Sequence, residues 1–177
     1  MAAENTDGIR KNAKTGAQVD AMDRKILGAL ARDASQSFAS LGALVGLSAP
    51  AVHERVKRLR AAGIIKRTMA VVDGKALGKP LLAFVHVDTI GWGKTPAMME
   101  FAELPEVEEV HSSTGDTCII MKVRVASSEA LEGLLKRLYE TQGVRATRTF
   151  VALSTHTEKG VRPEITSWLE DEDWPTE

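Results

Sequence analysis

Between Ser48 and Arg67 six cations, Arg55, Lys57, Arg58, Arg60, Lys66 and Arg67, stand against a single acid, Glu54. Lysine and arginine at this density neutralise phosphates, and on one helical face they suit the major groove of duplex DNA. The run is preceded by Gly46-Leu47-Ser48, a chain reversal, an apolar plug and a helix cap, and Pro50 fits the first helical turn. Small residues from Ser48 to Ala51 let a backbone approach a groove floor. On a helix from Ser48 to Ala62, Val52, Val56 and Leu59 form the inward stripe. His53 and Lys57, one turn apart, are then placed to reach base edges, while Arg55, Arg58 and Arg60 lie nearer the phosphates. Lys66 and Arg67 follow, where they would clamp the flanking backbone. Glu54 precedes Arg58 by four residues and reads as its ion-pair partner rather than as a reader of cytosine. A three-helix packing module with a solvated basic face has the same pattern; the Gly46 turn and the cation excess favour DNA.

Other chemistry finds little support. His53, His86, His111 and His156 fall in separate elements without metal-ligand spacing. Cys118, the single cysteine, excludes an intrachain disulfide and lies in an apolar strand, where a buried thiol is more common than a nucleophile. There is no glycine-rich phosphate loop. No catalytic residue, metal or cofactor is expected, and the chain is read as a non-enzyme. No apolar run would span a bilayer, and residues 1–18 lack the apolar stretch of a signal peptide, so a cytoplasmic location is expected.

The elements that must position the basic helix are visible around it. Residues 1–18 read as a flexible arm. Asp20 caps a first helix carrying Ile26, Leu27 and Leu30 and ending near Asp33. Ser37 caps a second, with Leu41, Leu44 and Val45, stopped by Gly46. A strand from Ile64 to about Val72 and the Asp73-Gly74 turn complete a winged helix-turn-helix over residues 19–73. The formal net charge of −1 conceals a segregation: nine cations against four acids from Asp20 to Ala70, two against seven from Glu158 onward. The latter stretch, residues 158–177, reads as an acidic tail, with Trp168 on a short helix packing against a neighbour as one alternative and a loose tail as the other.

After a connector at residues 74–80 the period changes. Strands are expected at Leu81–Ile90, Val107–Ser112, Thr117–Val125 and Val144–Leu153. Helices are expected at Thr95–Ala102 and after Ser127 or Ser128. This βαββαβ order over residues 81–157 is ferredoxin-like, so the chain is α+β. Side chains alternate along strands, so Phe84, Ile119, Met121 and Val151 cannot all point beneath the helices. A homodimer through the sheet faces is expected to cover the surplus.

With these residues in view, the run from Val19 to Arg67 resembles the DNA-binding half of the Lrp/AsnC (leucine-responsive/asparagine) regulator family. The matching parts are Asp20-x-x-Asp23-x-x-Ile26-Leu27, Gly46-Leu47-Ser48 and Glu54-Arg55-Val56-Lys57-Arg58-Leu59. The second half resembles that family's amino-acid-sensing domain through Ser113-Thr114-Gly115-Asp116 and Thr147-Arg148-Thr149-Phe150. The resemblance implies a regulator of transcription that binds double-stranded DNA, and a dimer whose sensing domains pair, often assembling further into octamers. It also implies an amino-acid effector bound between sensing domains, with Thr114, Gly115, Asp116 and Thr117 lining its pocket. Phe150 and Val151 fall where the family's effector response is affected. Cys118 stands where many members carry a second acidic residue. Asp116 would pair with the effector's ammonium, and backbone N–H groups of the turn with its carboxylate. Read from its residues alone, Gly115-Asp116 is equally an ordinary hairpin turn. An architectural protein that compacts DNA without a ligand would share the fold and the charge pattern.

Overall fold

The computed structural model describes residues 19–90 and 99–163, which fall into two compact units: 19–69 with 159–163, and 70–158. The expected arm at 1–18, much of the expected helix at 95–102 and most of the acidic tail lie outside the described residues. None of the described helices is long and apolar enough to cross a membrane.

The first unit is a helical trio whose ends are set by side chains. Helix α1 (Ala21–Arg32) begins at Asp20, whose carboxylate accepts from Asp23 N at 2.7 Å, while Asp23 accepts from Asp20 N at 3.1 Å. This reciprocal box satisfies two amides that a helix start otherwise leaves unpaired. Helix α2 (Phe38–Val45) is capped by Ser37 and closed by Gly46 at φ 75°, a left-handed conformation that costs glycine little. Helix α3 (Ala49–Ala61) is capped by Ser48, with Pro50 in its first turn. Val52, Val56 and Leu59 are fully buried, and Ile26, Ala29 and Leu41 meet the first two of them in the core.

Gly42 allows the turn between α2 and α3 to close. Leu47 N donates to Gly42 O at 2.9 Å, and a Cβ added at Gly42 would lie 2.4 Å from the Leu47 carbonyl oxygen. Gly42→Ala should therefore cost about 2 kcal/mol, because the overlap is with backbone and outweighs alanine's gain in helix propensity. Thermal unfolding checks this; a variant as stable as the parent would show that the turn yields freely.

The expected wing strand at 64–72 is absent from the structure. The amides of Ile64 and Ile65 both turn back to Leu59 O, at 3.0 and 3.2 Å, and Ile65 packs on the helical core. Residues 66–73 are exposed and have no ladder partner among the described residues, so their β-branched character has no sheet to join. The helix-turn-helix stands; the wing does not.

The stretch read as a connector at 74–80 is a closed turn, with Lys79 N donating to Gly74 O at 2.7 Å. It leads into β1 (Leu81–Thr89), followed by a 3₁₀ turn (Glu100–Glu103), β2 (Val107–Ser112), β3 (Ile119–Val125), α4 (Ser128–Glu140) and β4 (Val144–Val151). The strand order β2-β3-β1-β4, every neighbouring pair antiparallel, is that of a ferredoxin-like sheet. Where a helix was expected through Ala102, the described residues end in the 3₁₀ turn, with Phe101 buried and Met99 exposed.

One sheet face packs Ala83, Val85, Val87, Ile119, Met121 and Val123 against Leu131, Leu134 and Leu138. Ile119 and Met121, counted among the apolar surplus, are thus accommodated inside. The open face carries Phe84 directly opposite Phe150, with the His86 ring 5.1 Å from Phe150. Phe84 is 39% and Phe150 58% exposed. Val151 shares the inward face but lies at its margin, beside Ala83, and is half exposed. An ionic border flanks the aromatic pair: Arg124 Nε meets Glu108 at 2.6 Å, and Lys122 Nζ bonds Glu108 and Glu158.

Candidate nucleic-acid interface and effector turn

With Val52, Val56 and Leu59 inward, the 3.6-residue period turns Pro50, Glu54, Lys57 and Ala61 directly outward on α3. Ser48, Pro50, His53, Lys57, Arg58 and Arg60 are all exposed, as are Lys66 and Arg67 beyond the helix. No ion pair engages Lys57, Arg60, Lys66 or Arg67 among the described residues. His53 packs edge-on against the Phe38 ring at 5.2 Å and lies 3.4 Å from Glu54, so it sits at the α2 margin of the face.

Arg55 and Arg58 have a different task. Both reach α1, where Arg55 Nη1 meets Asp20 at 2.6 Å and Asp23 at 2.9 Å, and Arg58 Nη2 meets Asp23 at 2.5 Å. The expected pair between Glu54 and Arg58 gives way to this one. The Asp23 side chain is fully buried, whereas Arg55 and Arg58 remain 31% and 48% exposed. Burial alone would raise the Asp23 pKa, but hydrogen bonds from Arg58 and Arg55 outweigh it and hold the carboxyl below its ordinary 3.8. Charge-assisted bonds of this kind are the strong class, and here they tie the basic helix to the first. Sequence reasoning missed Asp23 in this role because its partners lie 32 and 35 residues away. Only its capping spacing was visible.

In the second unit, the link from β2 to β3 turns at Gly115, φ 102°. Thr114, Gly115 and Asp116 are exposed, and no ion pair engages the Asp116 carboxylate among the described residues. Thr117 turns inward instead: it is buried, and its hydroxyl is within bonding distance of the Val87 and Ile119 carbonyls at 3.2 and 3.3 Å. Cys118 N donates to Val87 O, and a hydrogen bond with Thr89 draws the thiol below its ordinary value.

Arg148 on β4 joins this turn, its Nη2 donating to Asp116 O at 3.0 Å. The same nitrogen lies 3.6 Å from Asp88 Oδ1, a buried oxygen with no hydrogen bond among the described residues. Arg148 is therefore a residue held against this turn that the motif Thr147-Arg148-Thr149-Phe150 contained and sequence reasoning did not single out. Phe150 and Val151 stand apart from the turn. They pair with Phe84 and Ala83, three and four residues along β1 from Val87, a separation of about 10–13 Å.

Comparison with known proteins agrees with both units. Residues 19–60 match the AsnC-type helix-turn-helix domain, and residues 82–161 match the Lrp/AsnC ligand binding domain. The chain is 34% identical over 140 residues to the HTH-type transcriptional regulator FL11 of Pyrococcus horikoshii, covering 79% of this chain and 93% of that protein. It resembles the structure of E. coli AsnC with a TM-score of 0.74 and 29% identity, covering 82% of this chain and 99% of that one. A feast or famine regulatory protein from M. tuberculosis, complexed with L-methionine, superposes with a TM-score of 0.74 at 34% identity, over 80% of this chain and 96% of that one.

Proposed function

The chain belongs to the Lrp/AsnC family of DNA-binding transcriptional regulators, which are not enzymes, and we propose that it controls genes of amino-acid metabolism in response to an amino acid. The observation that carries the reading is the exposed basic face of α3, unpaired among the described residues, presented on the second helix of a helix-turn-helix and joined in one chain to a ligand-binding fold. In this reading Lys57, flanked by Ser48 and Pro50, approaches the base edges. Arg60, Lys66 and Arg67 neutralise phosphates, and His53 lies at the edge. Arg55 and Arg58 orient the helix through Asp23, with Arg58 still exposed enough to touch the backbone.

For the effector, Asp116 offers a carboxylate to an ammonium, and Arg148 offers a guanidinium to a carboxylate. Asp88, with its unsatisfied oxygen, adds a second acceptor nearby. Thr114 and Gly115 border the turn, Thr117 supports it from within, and Cys118 and the more distant Phe150 and Val151 influence its surroundings. The protein works as a homodimer paired through the open sheet face and, as its DNA partner requires, in the cytoplasm.

One binding experiment tests these points together. Anisotropy of a labelled duplex from the gene's own upstream region, against a random duplex, should show preference for the former and a steep loss with salt. Lys57→Glu with Arg60→Glu should weaken binding about 100-fold or more, since two attractions become repulsions, and should leave the unfolding temperature unchanged. At least one of the standard amino acids should shift the affinity at millimolar concentration. Equal affinity for both duplexes would favour an architectural protein, and indifference to every amino acid would remove the effector.

A further inference from the structure

We propose that the acidic segment at residues 164–177 docks on the N-terminal unit, in the groove between α1 and α2, whose lining includes no residue of α3. The inference goes beyond the regulatory reading and does not depend on it. The groove encloses about 360 Å³, with Arg24, Lys25 and Arg32 at its rim and Gly28, Leu44 and Val45 among its lining. Leu44 is 66% exposed, a large apolar side chain that neither the helical core nor the α3 face uses.

Three observations select the occupant. Arg24 Nη1 donates to the carbonyl of Pro163 at 2.8 Å, so the chain is held at the rim at the residue just before the segment. The segment carries six acids and no lysine or arginine, opposite three cations. Its apolar residues Ile165, Trp168 and Leu169 follow at i, i+3 and i+4, the spacing that a helical turn would gather on one face. Reach is not limiting. From Arg24 to Arg32 the helix rises about 12 Å, whereas 14 residues span up to roughly 46 Å. Ile165, Trp168 and Leu169 cover Leu44 and Val45, while Glu170 to Asp173 lie toward Lys25 and Arg32. These residues follow the last position of the family match, residue 161.

The three tryptophans of the chain are Trp92, Trp168 and Trp174, so Trp92→Phe leaves only reporters within the segment. In that full-length variant, acrylamide should quench the emission several-fold more slowly than in a free peptide of residues 164–177. Adding Leu44→Asp and Arg32→Glu should restore the peptide's rate. Lys25→Glu with Arg32→Glu, at two exposed positions that leave the apolar floor intact, should also raise the rate. Peptide-like quenching in the Trp92→Phe protein would overturn the proposal. So would protection that persists in both groove variants, which would place the segment on another surface.

Discussion

Asp23→Ala is expected to lower the stability of the N-terminal unit by about 3 kcal/mol, the lower end of the cost of breaking a buried ion pair. The carboxylate is fully buried and accepts from Asp20 N, Arg55 and Arg58. Its removal deprives one amide of its cap and Arg58 of its partner, and leaves Arg55 with Asp20 alone. Both arginines keep access to water, which is why the loss stays below the maximum for a fully buried pair. For a unit of this size the unfolding temperature should fall by roughly 12 °C or more. Duplex affinity should fall with it, although Asp23 is itself fully buried. A change of less than about 2 °C would show that the arginines do not depend on Asp23.

The same residue gives a pH signature whose sign follows from its pKa. The folded carboxyl lies below its ordinary 3.8, so the unfolded chain binds the proton more readily. The contribution is therefore complete above about pH 4–5 and is lost as the pH falls through the folded value. Asp23→Asn keeps the shape and part of the bonding but removes this titration. Its stability should vary less than the parent's below pH 4.

Phe84→Asp with Phe150→Asp is expected to weaken self-association about a thousand-fold. Each ring still has roughly half its surface to bury, worth on the order of 1 kcal/mol apiece. Two such rings on each of two copies amount to about 4 kcal/mol, or three decades in the dissociation constant, before repulsion among the new carboxylates is counted. Sedimentation should show a monomer at micromolar concentration with unchanged helix and strand content, because both positions face outward. DNA binding should fall about 100-fold or more, since two linked copies hold a repeated site far better than one. A dimer that survives the double substitution would place the contact elsewhere.

Where local chemistry decides the structure, the sequence could be read closely. Ser37, Ser48 and Ser127 each cap the helix they precede, Gly46 closes α2, and β2 has the bounds its pattern suggests. The errors arose where distant partners compete. Ile64 to Val72 has the composition of a strand, but pairing requires a neighbour, and the amides of Ile64 and Ile65 found Leu59 instead. Glu54 has the right spacing for Arg58, yet an exposed pair of that kind contributes only a few tenths of a kcal/mol. A buried carboxylate 35 residues earlier outbids it. Arg148 meets Asp116 because two strands run in a particular register, which no single segment encodes. The ring of Phe150 lies well along the sheet from the turn for the same reason.

The division of labour on α3 also affects how such a protein can change. Its inward stripe holds the core and its flank holds Asp23, while the side chains at positions 50, 54, 57 and 61 make no ion pair or hydrogen bond among the described residues beyond the contact between Glu54 and His53. Substitutions there leave the packing untouched. A duplicated gene could therefore acquire a new operator through a few surface changes, retaining its scaffold and its latch. The address on this helix is rewritable, and the lock behind it is not.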